Sequence, residues 1–270
     1  MESISKRVNS LSPSATVAMN QKSRDLQAKG INVINLSVGE PDFFTPDHIK
    51  DAAKKAIDDN FSFYPPVPGY PDLLKAVVEK FKRENNLEYT PQQIIVSSGA
   101  KHSLVNAIIC LVDPGDEVII PAPYWVSYLE QVKLCEGTPV IIEAKHEANF
   151  KITPKQLEDS ITPRTKALLL CSPSNPSGAV YSKAELRALA DVLAKHPRIM
   201  VISDEIYEHI NFIGGHETIA QFADMKERTV VINGVSKAYA MTGYRIGYMA
   251  GPAWLAKACA KLQGQMTTGA

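Results

Sequence analysis

Short apolar runs without polar alternation recur along this chain, and amphipathic segments lie between them. Ala167–Leu170 and Val230–Ile232 have no polar side, which is typical of parallel strands that helices cover on both faces. Leu186, Leu189 and Leu193 recur at the period of a helix with one apolar side. This repetition of strand and helix predicts an open α/β layer structure.

The same patterns predict seven strands and six helices, whereas residues up to about 35 contain no such run and receive no element. The predicted strands are Ile94–Ser97, Glu117–Ile120, Pro139–Glu143, Ala167–Cys171, Ile199–Ser203, Thr229–Ile232 and Ile246–Met249. The predicted helices are Pro46–Asp59, Pro71–Asn85, Lys101–Leu111, Val126–Leu134, Lys183–Lys195 and Ala253–Gln263.

Charge and hydropathy weigh against several classes of protein. Lys plus Arg and Asp plus Glu each number 29, so the chain lacks the positive excess of a nucleic-acid-binding protein. No stretch approaches the roughly 18 apolar residues that a membrane span needs. Residues 1–20 lack the apolar centre of a signal peptide. We therefore expect a cytoplasmic protein without nucleic-acid or membrane partners.

The cysteines and histidines do not indicate a metal site. The chain has no C-x-x-C and no H-E-x-x-H motif, so neither a redox motif nor a zinc protease is indicated. Most of the cysteines lie in apolar runs, and we interpret them as small buried hydrophobic residues. These four residues are Cys110, Cys135, Cys171 and Cys259.

Ligands of open α/β sheets bind beyond the carboxyl ends of the strands, and four polar segments are predicted there. The first, Ser97–Lys101, joins a strand to a helix. Its small residues and the helix N-terminus suit an anion, and a plain turn is the alternative. The second segment carries Asn175 between two prolines, where the amide either binds a ligand oxygen or closes a turn.

The third segment begins with Asp204 at the end of an apolar strand, so this carboxylate should be at least half buried. It then needs a partner, either a cationic ring nitrogen of a cofactor or, as a helix N-cap, a backbone N–H. Tyr207 is close enough in sequence to reach the same ligand.

The fourth segment contains Lys237 and Arg245. Lys237 is either an ordinary surface lysine or, near an anion site and Arg245, an amine with a lowered pKa that suits Schiff-base chemistry. The planar guanidinium of Arg245 suits a phosphate group.

This fourth segment resembles the lysine signature of class-I pyridoxal-phosphate aminotransferases, with small, apolar and small residues before Lys237 and Gly-x-Arg-apolar-Gly at 243–247. Six more segments are similar to that family in the same order: SVGEPDF, FYPPVPG, SSGAKHSL, PYWVSY, SPSNPSG and SDEIYEH. The resemblance covers practically the whole chain and is greatest to the bacterial-type aspartate aminotransferase branch. It implies the fold-type-I large domain, with a mainly parallel seven-stranded sheet and helices on both faces, and pyridoxal 5′-phosphate as cofactor.

The resemblance also implies roles for residues around the cofactor ring. Lys237 corresponds to the lysine that binds the cofactor covalently and moves a proton at the substrate α-carbon. Asp204 corresponds to the carboxylate that pairs with the pyridinium nitrogen. Asn175 and Tyr207 correspond to the pair that hydrogen-bonds the 3′-oxygen. Trp125, otherwise an ordinary core aromatic, corresponds to the residue that stacks on the ring.

Other residues correspond to those that hold the phosphate and the substrate. Tyr64 corresponds to a tyrosine that reaches the phosphate of the neighbouring subunit, which implies a homodimer. Gly39 corresponds to the glycine whose backbone meets the substrate carboxylate, and Trp125 and Asn175 also border the substrate. The implied phosphate cup consists of Gly99, Ala100, Ser236 and Arg245.

Lys101 bears on the choice of substrate. In family members that act on acidic substrates, a lysine after the Gly–small pair of the phosphate loop meets the substrate's side-chain carboxylate, and GAKHSL has that pattern. The alternative is an exposed lysine in the first helical turn, where a cation is mildly unfavourable. The resemblance also places Lys101 beside the cofactor, and Ser14 and Thr16 near the same carboxylate.

The resemblance implies two parts in this sequence. Residues 1–45 are expected to form an N-terminal arm and loop that contributes to the small domain or a dimer, and residues 46–270 the cofactor-binding large domain. The family's arginine for the substrate α-carboxylate lies in a C-terminal small domain beyond residue 270, so we expect this sequence to be part of a longer one.

The implied reaction transfers an amino group between L-aspartate and 2-oxoglutarate and gives oxaloacetate and L-glutamate. A transaminase that acts on prephenate, aromatic or neutral amino acids is one alternative. A non-catalytic remnant of the fold is another, if the chain truly ends at Ala270. Elimination and decarboxylation on the same cofactor also stay open, because fold and cofactor do not determine the reaction.

Overall fold

The computed structural model describes residues 4–37 and 39–270, so residues 1–3 and 38 of the predicted arm lie outside the described part. The described helices are α1 (Lys6–Asn9), α2 (Ala15–Ala28), α3 (Asp47–Asp58), α4 (Pro71–Asn85), α5 (Ala100–Leu111), α6 (Ser127–Leu134), α7 (Pro154–Ser160), α8 (Lys183–Ala194), α9 (Ala223–Lys226) and α10 (Ala253–Met266). The described strands are β1 (Ile94–Ser97), β2 (Glu117–Ala122), β3 (Thr138–Glu143), β4 (Thr165–Cys171), β5 (Met200–Asp204), β6 (Thr229–Gly234) and β7 (Gly247–Ala250).

In the described residues the strands form one seven-stranded sheet in the order β1-β7-β6-β5-β4-β2-β3. β7 is antiparallel to both of its neighbours, β1 and β6, and the remaining neighbours pair in parallel. Each predicted strand overlaps an observed one and its ends differ by at most about two residues. The prediction of a mainly parallel sheet is confirmed.

Apolar side chains cover both faces of this sheet. On β4, Leu169 packs in a cluster with residues of α5 and α10, whereas Leu168 and Leu170 pack in a second cluster with residues of α8. Successive residues of a strand point to opposite faces, so both faces at β4 are buried. This explains the absence of polar alternation in Ala167–Leu170 and confirms helices on both faces.

Helix α8 shows how local sequence fixes one covering element. It begins at a capping box, in which Ser182 and Glu185 exchange backbone-to-side-chain hydrogen bonds. Leu186, Leu189 and Leu193 are buried against the sheet. The predicted helix is confirmed, and it ends one residue earlier than expected.

Four helices lie where the sequence predicted none: α1, α2, α7 and α9. Helix α2 has a single buried residue, Ser23, so it has no apolar stripe for a periodicity search to detect. The prediction of no element in the first 35 residues was therefore wrong. Helix α7 begins with a capping box of Thr153 and Gln156, a signal that local sequence does contain.

The four cysteines are free thiols. Cys259 is buried in the cluster on the α5 and α10 side, and Cys110, Cys135 and Cys171 pack against it. Their interpretation as small buried hydrophobic residues is confirmed for Cys259, whereas the other three are only partly buried. Among the residues described, no helix has both the length and the apolar character to span a membrane.

Candidate active site

A cavity of about 490 Å³ opens at the carboxyl ends of the central strands. Its wall combines residues that follow β4, β5 and β6 with the first turn of α5 and the segment before β7. Ten of the residues predicted for the site border it: Gly39, Ala100, Lys101, Trp125, Asn175, Asp204, Tyr207, Ser236, Lys237 and Arg245.

Two predicted residues are not on this wall. Gly99 lies behind it, against the guanidinium of Arg245, where an added Cβ would be 2.2 Å from Nη2. Tyr64 is 90 % exposed and does not line the cavity of its own chain. Of the two residues expected near the substrate, Thr16 borders the cavity, whereas Ser14 borders a neighbouring groove.

The anion cup forms where two neighbouring strands of the sheet meet helix α5. Gly99 has a φ of +87° and precedes the first helical residue, Ala100, where backbone N–H groups have no partner within the helix. Arg245 has a left-handed backbone, and its Nη1 donates to the carbonyl oxygen of Thr242 at 2.7 Å. A Cβ on Gly247 would lie 2.1 Å from the nitrogen of Ala100. The guanidinium of Arg245 and the start of β7 therefore both pack against the turn where helix α5 begins.

Asp204 ends β5 and is 3 % exposed, which confirms the expectation of burial. Its Oδ2 accepts a hydrogen bond from the hydroxyl of Tyr128 at 2.6 Å, and its Oδ1 accepts one from the N–H of Ile206 at 3.3 Å. Burial raises the pKa of this carboxyl to about 6. Turns rather than a helix follow it, so the N-cap alternative is wrong. Within the described residues, no Lys, Arg or His forms an ion pair with it.

Asn175 and Tyr207 meet beside this carboxylate. The Nδ2 of Asn175 donates to the hydroxyl oxygen of Tyr207 at 3.1 Å. Burial, and next the charge of Asp204, raise the pKa of Tyr207 to about 12. The hydroxyl therefore keeps its proton at neutral pH and can donate it to an oxygen in the cavity.

Lys237 follows β6 and is half buried. Its Nζ donates to the carbonyl oxygen of Gly39 and lies 5.8 Å from the centre of the Tyr207 ring. Burial and the charge of Arg245 lower the pKa of Lys237, while Glu40 opposes the shift. A lowered pKa leaves more of the amine unprotonated and nucleophilic, as the sequence hypothesis required.

Lys101 and Trp125 form one side of the cavity mouth. The Nζ of Lys101 lies 4.7 Å from the centre of the Trp125 ring, a distance at which a cation and a ring attract each other. Lys101 is exposed, as its alternative interpretation held, but its ammonium lies over the cavity wall. Partial burial and Arg245 lower its pKa. Trp125 also packs edge-on against Tyr128, with ring centres 5.4 Å apart.

Sequence reasoning missed two residues of this site. Tyr128, the donor to Asp204, is fully buried. It lies three residues after Trp125, about one helical turn away, and this spacing was the available signal. Thr242 holds Arg245 through its carbonyl and donates from Oγ1 to Glu40 at 3.1 Å. No sequence pattern marked that contact.

Residues 31–269 match the family model for aminotransferase class I and II. The chain belongs to this family. Its relatives include the aspartate/prephenate aminotransferase of Nitrosomonas europaea, which is 53 % identical over 267 residues, covering 98 % of this chain and 67 % of the relative. The aspartate aminotransferase of Geobacillus stearothermophilus is 50 % identical over 267 residues, covering 98 % of this chain and 68 % of the relative.

Solved structures of the family share this fold. The aspartate aminotransferase of Rhizobium meliloti matches with a TM-score of 0.96 at 46 % identity, covering all of this chain and 68 % of its own. The Thermus thermophilus enzyme with maleate also matches with a TM-score of 0.96, at 45 % identity, covering all of this chain and 70 % of its own. This chain thus spans about two thirds of the length of its relatives, and about a third of each relative has no counterpart in it.

Proposed function

We propose that this chain is the cofactor-binding part of a transaminase that moves an amino group between L-aspartate and 2-oxoglutarate. The products are oxaloacetate and L-glutamate. One observation carries the proposal: three groups border one cavity. They are a lysine amine of lowered pKa, a buried carboxylate that forms no ion pair with any described residue, and an anion cup that contains an arginine. Pyridoxal 5′-phosphate, the cofactor of this family, requires these three groups.

The phosphate group of the cofactor fits the cup formed after β1. Gly99 leaves room for the guanidinium of Arg245, and the first N–H groups of α5 favour a negative charge. Ala100 and Ser236 complete the wall of this cup. We assign phosphate binding to these four residues.

Asp204 and Trp125 would hold the ring of the cofactor. Asp204 is a buried carboxylate whose pKa of about 6 reflects its desolvation, so a ring nitrogen that carries a proton is a suitable partner. Tyr128 keeps this carboxylate oriented through its 2.6 Å hydrogen bond. Asn175 and Tyr207 are assigned to the ring oxygen, and Trp125 to one ring face, where it excludes water.

When bound, the cofactor supplies an electron-withdrawing ring that stabilises negative charge at the substrate α-carbon. The chain supplies the amine and the proton transfer. Nζ of Lys237 would hold the cofactor and, when free, would accept the proton that leaves the substrate α-carbon. The lowering of its pKa by burial favours both tasks, because the amine attacks and accepts a proton in its unprotonated form.

Lys101 borders the cavity and favours a substrate with a second carboxylate, whereas Lys237 and Arg245, which also border it, are assigned to the cofactor. Lys101 is assigned to the side-chain carboxylate of the substrate, and the backbone of Gly39 to its α-carboxylate. Relatives of this chain are aspartate aminotransferases, and the Thermus thermophilus relative was solved with maleate, itself a dicarboxylate.

Prephenate is the second candidate substrate, because several relatives are aspartate/prephenate aminotransferases. It also carries two carboxylates, so Lys101 serves either molecule. The two are separated by loading the protein with aspartate and then comparing the rates at which 2-oxoglutarate and prephenate remove the amino group.

The first test is the absorption spectrum of the purified protein with pyridoxal 5′-phosphate, before and after borohydride. We expect a pH-sensitive near-visible band that borohydride removes, leaving a covalent label on Lys237 in peptide mapping. A folded protein without this band does not hold the cofactor, and the proposal fails.

The substrate class is tested with Lys101→Ala. We expect the half-reaction with aspartate to slow by about tenfold or more, since one charge-assisted contact is lost, while the half-reaction with alanine stays within about twofold. An equal loss with both amino acids would contradict the assignment of Lys101.

We also propose that two copies assemble, with residues 1–45 as an arm and residues 46–270 as the large domain. Tyr64 is 90 % exposed, and Phe63 and Phe44 are 83 % and 92 % exposed. Apolar surface of this kind is typical of an interface, and Tyr64 is then available to a neighbouring phosphate cup. Sedimentation of the wild type and of Tyr64→Ala tests this assembly.

A further inference from the structure

Gln263 of α10 is a fully buried polar side chain with four hydrogen bonds. Its Oε1 accepts from the hydroxyl of Ser97 at 2.7 Å and from Nδ2 of Asn106 at 3.1 Å. Its Nε2 donates to the carbonyl oxygens of Val67 at 2.9 Å and Val96 at 2.8 Å. Both amide hydrogens and both oxygen lone pairs are used. The reversed amide would set its oxygen against two carbonyl oxygens, so this orientation is fixed.

The partners of Gln263 surround the turn that forms the anion cup. Ser97 is the last residue of β1, Gly99 and Ala100 follow it, and Asn106 lies on α5. Gln263 therefore holds the strand that enters the turn and the helix that leaves it. A shift of one against the other would move the N–H groups that converge on the cup.

The same amide holds the loop that carries Tyr64. Val67 lies three residues after Tyr64. The next residue, Pro68, accepts a hydrogen bond from the N–H of Val96 at 2.9 Å. A Cβ on Gly69 would lie 3.0 Å from the Val96 side chain, so the loop is packed against β1. One side chain thus joins the turn of this chain's anion cup to the loop that carries Tyr64.

A second buried glutamine provides a contrast. Gln131 of α6 is 6 % exposed, and neither its Oε1 nor its Nε2 has a hydrogen-bond partner among the described residues. Burial of the glutamine side chain alone therefore does not account for the four bonds of Gln263. Gln131 is the matched control for it.

We propose that Gln263 is a positioning residue for the phosphate of the cofactor: it locks the turn after β1 against the loop before α4. Gln263 does not border the cavity and acts through Ser97, Asn106 and the two carbonyl groups. The inference rests on the proposed function, since the phosphate belongs to the cofactor assigned there.

The test compares ligands with and without a phosphate group on the apo form of the 270-residue protein. Dissociation constants are measured for pyridoxal 5′-phosphate, pyridoxal and inorganic phosphate with the wild type and Gln263→Leu. We expect the two phosphate-bearing ligands to bind at least about tenfold more weakly to the variant, as for one or two lost hydrogen bonds. Pyridoxal should stay within about twofold.

The contrary outcomes are separable. Equal weakening of all three ligands means that Gln263 only stabilises the fold, and overturns the inference. In a second outcome, the wild type binds phosphate more tightly than Gln263→Leu does but forms no covalent link with the cofactor. This result contradicts the proposed function and supports the inference. Wild type that does not bind inorganic phosphate overturns the positioning role, because there is then no anion cup to position.

Two further variants test the same inference if Gln263→Leu does not fold. Ser97→Ala removes one donor to Gln263 and leaves the other three bonds, so we expect about threefold weaker phosphate binding. Gln131→Leu should leave all three dissociation constants unchanged. The positioning role would be refuted if Ser97→Ala bound phosphate as tightly as the wild type. It would also be refuted if Gln131→Leu lost as much phosphate affinity as Ser97→Ala.

Discussion

The sheet and the segment that precedes it use their apolar residues differently. Leu168 on β4 is fully buried, whereas Leu36 is 90 % exposed and Ile34 is 85 % exposed. The sheet is covered by helices of the same chain, and residues 30–37 and 39–64 leave large apolar side chains in solvent. The difference shows that this chain alone completes the core of the sheet, while the earlier segment presents surface of the kind that protein interfaces use.

The sheet and the segment that precedes it also contribute different polar groups to the site. Asp204 bonds to Tyr128, and Asn175 to Tyr207, all on elements that the sheet positions. The loop that carries Gly39 contributes its carbonyl oxygen, which accepts a bond from Lys237. The sheet therefore orients the chemical groups, and the earlier segment covers them.

The largest effect should come from removing the amine of Lys237, which follows the carboxyl end of β6. Lys237→Ala should lower the rate of the half-reaction with aspartate by about 10⁴-fold or more, since both attachment and proton transfer are lost. The melting temperature of the apo protein should change little. The control is Lys183→Ala, which changes an exposed lysine on α8. A comparable loss of rate in this variant would contradict the assignment of Lys237.

Matched leucine truncations test the packing contrast directly. Leu168→Ala should lower the free energy of unfolding by about 2–5 kcal/mol, because a cavity forms in a buried cluster. Leu36→Ala should change it by less than about 0.5 kcal/mol. Urea unfolding of both variants measures this. A large cost for Leu36→Ala would mean that an assembled partner buries this segment in solution.

A pH series tests the buried charge of Asp204. Its pKa is about 6 in the folded protein and 3.8 as the ordinary value, so the folded state binds more protons and stability falls as pH rises between these values. Asp204→Asn should therefore gain up to about 3 kcal/mol over the wild-type apo protein as pH rises from 4 to 7.

The control for this series is Asp72→Asn, whose side chain is 97 % exposed. Its difference from wild type should show no such rise across the same pH range. If Asp204→Asn behaves likewise, the carboxylate is not desolvated and the ring-nitrogen assignment loses its basis.

The smallest effects should come from helix caps in the two regions. Ser182 caps α8, which packs against the sheet, and Ser14 caps α2, which has one buried residue. Ser182→Ala should cost about 1 kcal/mol of unfolding free energy, whereas Ser14→Ala should cost almost none because α2 can open locally. Urea unfolding of both compares them, and equal costs would show that α2 unfolds with the core.

Sequence alone predicted the sheet well for a physical reason. Strands such as β4 are buried on both faces, so they are short apolar runs without polar alternation. Helix α2 lacks an apolar stripe and could not be found in this way. Its signal is local, the hydroxyl of Ser14 that accepts the N–H of Val17 at 3.4 Å.

The sequence predicted which residues form the candidate site, but it did not predict the contacts between them. Segments in family order indicated Lys237, Asp204 and Arg245, and the cavity contains all three. The contacts that hold them were not accessible, because partners such as Tyr128 and Asp204 are remote in sequence. Their pairing depends on the order of strands, which no local pattern encodes.

The antiparallel insertion of β7 between β1 and β6 has a consequence for folding. Among the strands that the structure describes, β1 lies at the edge of the sheet and pairs with β7 alone, so Gly99 and Arg245 meet only after a very long loop has closed. Contacts of such high sequence separation form slowly. The anion cup is thus absent from any nascent chain shorter than about 250 residues, and phosphate affinity reports whether synthesis and collapse of the sheet are complete.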